Sequence, residues 1–491
     1  MSISDSQYQA WLADPSEERV LLAEVTAYSG GSAVTRYLGS RYFDTGASDT
    51  PANKQYEGIL VGSPFFSSNM AEAFSGRSFV SMGDLLVDNG EGDLDSWITD
   101  AWDGRDAVLK FGDPAWDIAD FRTILTGVID NLQIENDKTL RLVIRDNQRT
   151  LDGPIQTALI ASGENTNSPV PLCYGEVFNI MPVSTDTSTH EYQIHEGQIE
   201  DIVAIYVDGV ATGLTVTEDL TNGKFTLSAD PQGTVTCDAK GHKPSGSYKY
   251  KPGEIIRAIV SRVLTDPDDL DTSAFTAFDS DLDYTVGIYI EYRENLLDVI
   301  DKILPAGWFY GFGRDGKFSL AALKAPSGET STMTIDGIET FGDLNVQKAD
   351  IPQWRTRIGY KKNNTILEFG SASGVSEANR SFFKSEHSNV AKYEVSSVKT
   401  THLLAQDPPA LPSTIVSSAN AVTEATRLQT LFGTQRYTYR VGAFVAPLQV
   451  KVGSVITIED ARFGLSSGTK AVVTGIIEYL LDNKLELELW A

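Results

Sequence analysis

The chain is poor in cysteine and in positive charge, and it has no long apolar run. Its two cysteines, Cys173 and Cys237, cannot supply the four thiolates of an iron–sulfur cluster or of an all-cysteine zinc site. The N-terminal sequence MSISDSQYQAWLADPSEERV lacks the basic and apolar regions of a signal peptide. No later stretch stays apolar for the roughly eighteen residues that a membrane helix needs. We therefore expect no metal or other cofactor, no membrane anchor, and synthesis in the cytoplasm.

The charge balance is strongly acidic. The 40 Lys and Arg residues stand against 67 Asp and Glu residues, and the formal net charge is -27. A protein that grips nucleic acid without sequence specificity neutralises phosphates with clustered Lys and Arg, so this balance argues against such binding. Two interpretations stay open: an acidic surface that keeps a large protein dissolved, and a surface that DNA passes without being held.

The composition is otherwise that of an ordered, turn-rich protein. The chain has 41 glycines, 10% aromatic and 41% hydrophobic residues, and a mean hydropathy of -0.17. Single hydrophobic cores stop growing near roughly 250 to 300 residues, so 491 residues require at least two domains.

Period-two alternation predicts many short strands. In KTLRLVIRD the apolar residues Leu140, Leu142 and Ile144 alternate with Arg141, Val143 and Arg145, which is typical of a strand with one buried face. The pairs Asp208-Gly209 and Asn222-Gly223 are flanked by strand-like sequence and predict tight hairpins. In WRTRIGYKKNNTILEF the two adjacent asparagines, at 363 and 364, are predicted to mark a turn.

Three segments have helical spacing instead. GEIIRAIVSRVL and RENLLDVIDKIL form a small helical insert, the second helix ending before Pro305. SSANAVTEATRLQTLF predicts a longer helix, with Val422, Ala425, Leu428 and Leu431 on its apolar face. We expect a mainly β protein with helical inserts, divided into a β domain at 1–150, an inserted β-rich domain at 151–250, a helical insert at 251–306 and a second β domain at 307–491.

Two distant stretches are similar to each other. LTGVIDNLQIENDKTLRLVI and VTGIIEYLLDNKLELEL share a Thr-Gly, an apolar pair and an acid, and VLKFGDPAWD and VITIEDARFG precede them at similar distances. We predict Thr126-Gly127 and Thr474-Gly475 as equivalent structural positions, and Asp130 and Glu478 as equivalent surface acids. The alternative, that any two hairpins of alternating hydrophobic residues look alike, stays open. A true repeat implies two related β domains separated by inserts.

The chain resembles a known family, the tail or baseplate hub proteins of long-tailed bacteriophages, closest to those of transposable phages with flexible, non-contractile tails. PLCYGEVFNIMPV, YQIHEGQIEDIVAIYVDG and AGWFYGFGRDGKFSLAAL carry the resemblance, together with the sequence from SSANAVTEATRLQTL through VKVGSVITIED to LELELW. These are packing and turn patterns, and the resemblance covers most of the chain from Trp97 onward. Some relatives hold a cysteine-ligated cluster, which two cysteines cannot, so no cofactor is carried over.

The resemblance implies two tail-tube-like β-barrel or sandwich domains in each chain and a homotrimer at the distal end of a tail. Such a trimer would lie at the tail tip of a virion, assembled in the host cytoplasm. Its partners would be a distal tail or tail-tube ring, central fibre or tail-tip proteins and, as a further candidate, the C-terminus of the tape-measure protein. Phage DNA would pass through its lumen without specific binding.

Three strings imitate catalytic or metal motifs but fail in context. GLSSG places Ser466 in a nucleophile-elbow pattern, yet a strand follows where a helix is required, and the last histidine, His402, lies upstream. His190 and His195 are five residues apart, whereas the zinc-protease motif needs a spacing of four. We predict a hairpin turn at Ser466 and no zinc site.

The third string, DSDLDY, carries three acids, Asp279, Asp281 and Asp283, as a calcium loop does at its start. An EF-hand loop needs Gly and Glu at positions where Tyr284 and Ile290 stand. We predict a solvated acidic turn, and no catalytic, cofactor-binding or metal-binding residue is assigned.

The sequence thus favours a non-enzymatic structural protein. Three alternatives stay open: a distal tail or receptor-binding component, a tail-borne polysaccharide hydrolase with an unrecognised carboxylate pair, and a carbohydrate-binding β protein.

Overall fold

The computed structural model describes residues 2–62, 65–70, 76–77, 79–81, 83–304, 306–337, 339–348, 351–367 and 374–491. The fold is mainly β, with 40% strand and 18% helix, and it contains two curled half-barrel sheets and small helical inserts. The predicted fold class is confirmed.

The helices within the described ranges are α1 (Asp5–Ala13), α2 (Pro252–Val260), α3 (Thr272–Asp281), α4 (Leu296–Ile303), α5 (Glu377–Phe383), α6 (Ser397–Thr401) and α7 (Ser418–Phe432). The N-terminal strands are β1 (Val20–Ser29), β2 (Ser32–Gly39), β3 (Phe43–Asp44), β4 (Gln55–Tyr56), β5 (Leu60–Val61), β6 (Phe65–Asn69), β7 (Gly76–Arg77), β8 (Phe79–Ser81), β9 (Leu85–Asp88), β10 (Arg105–Gly112), β11 (Arg122–Asn136) and β12 (Thr139–Arg145).

The middle of the chain contains β13 (Leu172–Ile180), β14 (Val183–Asp186), β15 (Glu191–Gln193), β16 (Ile199–Val207), β17 (Val210–Ala211), β18 (Val216–Asp219), β19 (Lys224–Leu227), β20 (Val235–His242) and β21 (Gly287–Ile290). The last strands are β22 (Trp308–Phe312), β23 (Phe318–Ala322), β24 (Thr334–Ile335), β25 (Thr340–Lys348), β26 (Arg355–Tyr360), β27 (Asn389–Glu394), β28 (Tyr437–Ala443), β29 (Val455–Ile458), β30 (Thr469–Tyr479) and β31 (Lys484–Trp490).

The two largest sheets contain the repeated sequence. The first sheet has the order β2-β1-β10-β11-β12-β9-β5, and the second has the order β24-β29-β30-β31-β28-β25. In each sheet three consecutive strands form an antiparallel meander, β10-β11-β12 in one and β29-β30-β31 in the other, followed by one more antiparallel strand. The repeated sequence therefore corresponds to the same strand arrangement in both sheets.

The hairpin signals are confirmed. Asp208 and Gly209 connect β16 to β17 with positive φ angles of 48° and 81°, which suit a tight turn between antiparallel strands. Asn222 and Gly223 lie between β18 and β19, and Gly223 has a φ of 63°. Ser466 lies in the loop between β29 and β30, so the predicted turn there is also confirmed.

The three predicted helices form, but one residue assigned to the apolar face of the third helix is exposed. α4 ends at Ile303, before Pro305, which lies outside the described residues. In α7 the side chain of Val422 is 41% exposed, while Ala421, Ala425 and Leu428 are buried. Leu431 is buried as well, so the predicted face is correct except at Val422, and the helix packs on β26 and β27.

The helical elements share one core with strands from several parts of the chain. Residues of α2, α3 and α4 form a cluster with residues of β21, β22, β23 and α7. α3 was not predicted, and it contains Asp279 and Asp281, so the predicted acidic turn is wrong at these two residues. Asp281 pairs with Lys324, and Asp283 pairs with Lys251.

The asparagine pair predicted as a turn has another role. Asn363 is 1% exposed, and its side-chain oxygen accepts a hydrogen bond from the amide of Asn179, at 2.8 Å. β26 pairs with β27 rather than with the segment that follows the asparagines, of which Glu368 and Phe369 lie outside the described residues. Asn363 therefore joins the middle β region to the chain after β26.

In the described ranges, no helix is both long and apolar enough to span a bilayer.

Candidate assembly site where the two repeated sheets meet

A single turn contacts both repeated sheets. It connects β22 to β23 and contains Arg314. The backbone N–H of Thr126, in β11, donates to the carbonyl oxygen of Arg314 at 2.8 Å. The guanidinium of Arg314 forms an ion pair with the carboxylate of Glu478, in β30. The turn therefore connects the two Thr-Gly segments that the sequence comparison aligned.

Local chemistry explains the shape of this turn. The N–H of Gly313 donates to the carbonyl of Lys317 at 2.8 Å, and the N–H of Lys317 donates to Asp315 at 3.2 Å. Gly316 has a φ of 76°, and a Cβ added there would lie 3.1 Å from the Cβ of Thr126. Both the left-handed backbone and the close approach to β11 require glycine.

Glu478 is completely buried, so the prediction of a surface acid is wrong at this position. One carboxylate oxygen accepts from the N–H of Leu448 at 2.8 Å, and the other accepts from Arg314. Burial lowers the pKa of Arg314 to about 10, which leaves the guanidinium charged at neutral pH. A buried carboxylate needs such partners, because an unpaired one is costly to desolvate.

Asp130, the matching acid of the first repeat, lies at the surface. Its side chain is 34% exposed and pairs at 3.3 Å with Arg149, which is 83% exposed. The positions of the β-bulges explain the difference. The β11–β12 ladder shifts between Ile129 and Asn131, at the acid itself. The β30–β31 ladder shifts earlier, between Val473 and Gly475. The extra residue at this bulge, Thr474, turns Glu478 inward.

The Thr-Gly pairs lie on corresponding strands but in different ladder environments. Thr126 and Gly127 pair with Val108 and Ala107 of β10. Thr474 is the unpaired residue of the bulge, and its hydroxyl donates to the carbonyl of Glu488 at 3.1 Å.

The cores of the two sheets also meet at this junction. Leu480, which follows β30, is fully buried in the core cluster of the first sheet. Phe66 of β6 belongs to the same cluster, although β6 pairs with β30 of the second sheet. In that pairing Phe66 lies opposite Glu478. The second sheet therefore contributes to the core of the first, and the sequence contained no signal for this contact.

A cleft of about 940 Å³ opens beside the turn, between α1, α3 and the chain after β28. Three of its acids have structural partners: Asp5 pairs with Arg122 at 3.1 Å, Asp315 accepts from Lys317, and Asp271 caps α3. Burial raises the pKa of Asp271, but hydrogen bonds, of which that from Ser273 is the largest, outweigh this and lower it. A general acid for glycoside hydrolysis needs a raised pKa, and the pKa of Asp271 is lowered instead.

The histidine and cysteine side chains form a second polar group, in the middle β region. The Nε2 of His195 lies 2.9 Å from the Nδ1 of His242, and His195 Nδ1 accepts from the N–H of Cys173 at 3.2 Å. Burial, the largest cause, lowers the pKa of His195 to about 3 and that of His242 to about 4. Cys173 and Cys237 are free and buried, and burial raises the pKa of both thiols.

Within the part of the chain that the structure describes, no group of three or more His, Cys, Asp or Glu side chains could hold a metal ion. His190 lies in a turn with a φ of 55°, outside the pair that His195 forms with His242.

No protein-family model and no curated protein matches the sequence. Several solved structures show some similarity to this one. The tail protein from Neisseria meningitidis MC58 has 10% sequence identity, covers 96% of both chains and has a TM-score of 0.41. The 43 kDa tail protein of prophage MuSo2 from Shewanella oneidensis has 11% identity, covers 96% of this chain and 98% of its own, and has a TM-score of 0.41.

A chain from the virion of a native gene transfer agent particle has 11% identity, covers 68% of this chain and 86% of its own, and has a TM-score of 0.45.

Proposed function

We propose that this chain is a structural protein of a phage tail, a trimeric baseplate or tail hub at the distal end. It adapts a hexameric tail tube to a three-fold tip and forms part of the DNA ejection channel. The observation that carries the proposal is the pair of sheets with the same antiparallel meander, held together in one chain. The sequence resemblance to tail hub proteins, stated above, points the same way.

The arithmetic of symmetry connects the repeat to this role. Three chains with two related sheets each present six similar sheets around one axis, and six sheets match a hexameric ring. The turn that contains Arg314 holds the two sheets of one chain in a set arrangement, which a ring of alternating sheets needs. The partners are then the tube or distal tail ring on one side and fibre, tip or tape-measure segments on the other.

The charge of the chain suits a conduit. A net charge of -27 does not attract phosphates. DNA therefore passes without being held by clustered Lys and Arg side chains, which would bind its phosphates. The role is non-enzymatic. The acids that line the large cleft are engaged in ion pairs, caps and turns.

Cryo-electron microscopy of intact tails from the source particle tests the proposal. We expect three copies of this chain in a ring at the distal end, with the two repeated sheets alternating around the axis. Six copies would indicate a distal tail or receptor-binding component instead. Absence from the particle would overturn the proposal, and assays of glycan binding and hydrolysis would then come first.

A further inference from the structure

One part of this acidic chain has the opposite charge balance. Residues 351–407, which we call the basic unit, contain eight Lys and Arg residues against five Asp and Glu residues, whereas the whole chain has 40 against 67. The basic unit includes β26, β27, α5 and α6. Copies of a chain with a net charge of -27 repel each other. A contact between copies is therefore favoured where a basic surface of one meets an acidic surface of the other.

The basic unit presents two adjacent leucines to solvent. Leu403 is 90% exposed and Leu404 is 77% exposed, in the turn that follows α6. We call residues 402–405 the leucine turn. Its end is held in place, because the N–H of Gln406 donates to the carbonyl of Pro352 at 3.0 Å. Two large apolar side chains that protrude together from a fixed turn indicate a contact surface, which a single exposed leucine does not.

A lysine without an acidic partner precedes the leucine turn. Lys399 of α6 is exposed, and its ammonium lies 3.3 Å from the centre of the Trp354 ring. It forms no ion pair with an acid of the described ranges, whereas Arg355 pairs with Asp407. The surface around the leucine turn therefore combines an apolar apex with a positive charge that no carboxylate neutralises.

The complementary surface lies between β9 and β10. Residues 88–99, which we call the acidic loop, contain no Lys or Arg and four acids, Asp88, Glu91, Asp93 and Asp95. None of the four forms an ion pair within the described ranges, whereas Asp84 and Asp100, on either side, each pair with an arginine. The negative charges of the acidic loop are therefore not neutralised within one copy.

The acidic loop also carries an exposed apolar residue. Ile98 is 57% exposed, next to Trp97, which is 4% exposed and anchors the loop. The N–H of Leu94 donates to the side-chain oxygen of Asn89 at 2.9 Å, so the loop is ordered by its own hydrogen bonds. An apolar centre with a polar rim is the usual anatomy of a protein interface. Ile98 and the four acids provide both parts.

A second acidic stretch, at 266–283, is less suited to this contact. Two of its acids are already compensated, because Asp281 pairs with Lys324 and Asp283 pairs with Lys251. The acidic loop keeps all of its acids free of such pairs, so it attracts a positive surface more strongly.

We propose that the leucine turn of one copy packs on the acidic loop of a second copy, with Leu403 and Leu404 against Ile98 and with Lys399 facing the acids. This contact rests on the proposed function, because it names one way in which neighbouring chains of the trimer meet. The two surfaces are unlike, and each copy has one of each. The association is therefore head to tail and closes into a ring if the rotation allows.

Sedimentation of the full chain over a concentration series is the first test. We expect the wild type to self-associate and Leu403→Asp to weaken association about tenfold or more, as loss of a central apolar contact does. Phe463→Asp is the matched control, because Phe463 is 56% exposed outside both surfaces. Raising the salt from about 50 mM to about 500 mM should also weaken association, because salt screens the charges across the contact.

An exchange of charges identifies the partner surface. Lys399→Glu and Asp93→Lys should each weaken association about threefold or more, because like charges then face each other. The double variant should associate like the wild type, because opposite charges meet again. Lys451→Glu combined with Asp93→Lys is the control. It has the same net charge, but Lys451 is an exposed residue outside the basic unit, so association should stay weak. The urea midpoint of each variant checks that folding is retained.

Three results would overturn this inference. In the first, Leu403→Asp associates as well as the wild type. In the second, the exchange of charges at Lys399 and Asp93 restores no more association than the control with Lys451. In the third, the wild type stays monomeric at the highest attainable concentration. None of these results decides the proposed function, which depends on the position and copy number of the chain in the tail.

Discussion

The guanidinium of Arg314 forms an ion pair with the carboxylate of Glu478, which is fully buried where the two repeated sheets meet. The backbone of the same arginine accepts a hydrogen bond from Thr126 in the other sheet. One residue therefore joins both copies of the repeat, through its side chain on one side and its carbonyl on the other.

Removal of one partner of this pair should destabilise the chain strongly. Arg314→Met leaves Glu478 buried without its cation, and losses of about 3 to 5 kcal/mol are typical in such cases. Arg149→Met is the matched control, because it breaks the exposed pair with Asp130 and should cost less than about 1 kcal/mol. Urea denaturation followed by tryptophan fluorescence measures both. Equal effects would show that the buried pair does not hold the junction.

The turn should not tolerate a side chain at Gly316. Gly316→Ala meets both a left-handed backbone, with φ of 76°, and the Cβ of Thr126 at 3.1 Å. Gly246→Ala is the control, since Gly246 has a φ of 80° and nothing lies within 4 Å of its added Cβ. We expect Gly316→Ala to cost about 1 to 3 kcal/mol more, from overpacking. The urea midpoints of the two variants provide the comparison, and similar midpoints would contradict the tight contact.

Stability should fall as the medium becomes acidic. The pKa values of His195 and His242 are lowered in the folded chain, to about 3 and about 4, from 6.5. Between pH 6.5 and about 4 the unfolded state therefore binds more protons, so the two histidines favour unfolding as the pH falls. His195→Gln should reduce this slope, measured as the urea midpoint against pH. A slope that the substitution leaves unchanged would assign the effect to other groups.

The native thiols should be unreactive in the folded chain. Cys173 and Cys237 are both 0% exposed, and burial raises their pKa values, so few thiolates form at neutral pH. A thiol reagent such as dithionitrobenzoate should label neither residue in buffer and both in denaturant. Rapid labelling without denaturant would indicate local opening of the middle β region.

Much of the local structure could be predicted from the sequence. The alternation of Leu140, Leu142 and Ile144 identified a strand with one buried face, and all three are buried. The Asp208-Gly209 pair marked a hairpin, because only residues that accept positive φ fit there. Four of the described helices, α1, α3, α5 and α6, were not predicted. In α1, Tyr8, Trp11 and Leu12 are buried, but the sequence around them has no regular apolar stripe.

The sequence by itself determined the strands, the hairpins and the existence of the repeat, since these depend on side-chain alternation and on the torsion preferences of neighbouring residues. Only the tertiary structure decided which acid is buried. Asp130 and Glu478 occupy matching places in the two sequences, but the bulge in β30 lies at Thr474, four residues before Glu478, and reverses the side that Glu478 faces. That bulge, the crossing of β6 into the second sheet and the insertion of the Arg314 turn depend on contacts between residues far apart in the chain. Local pattern carries no information about such contacts.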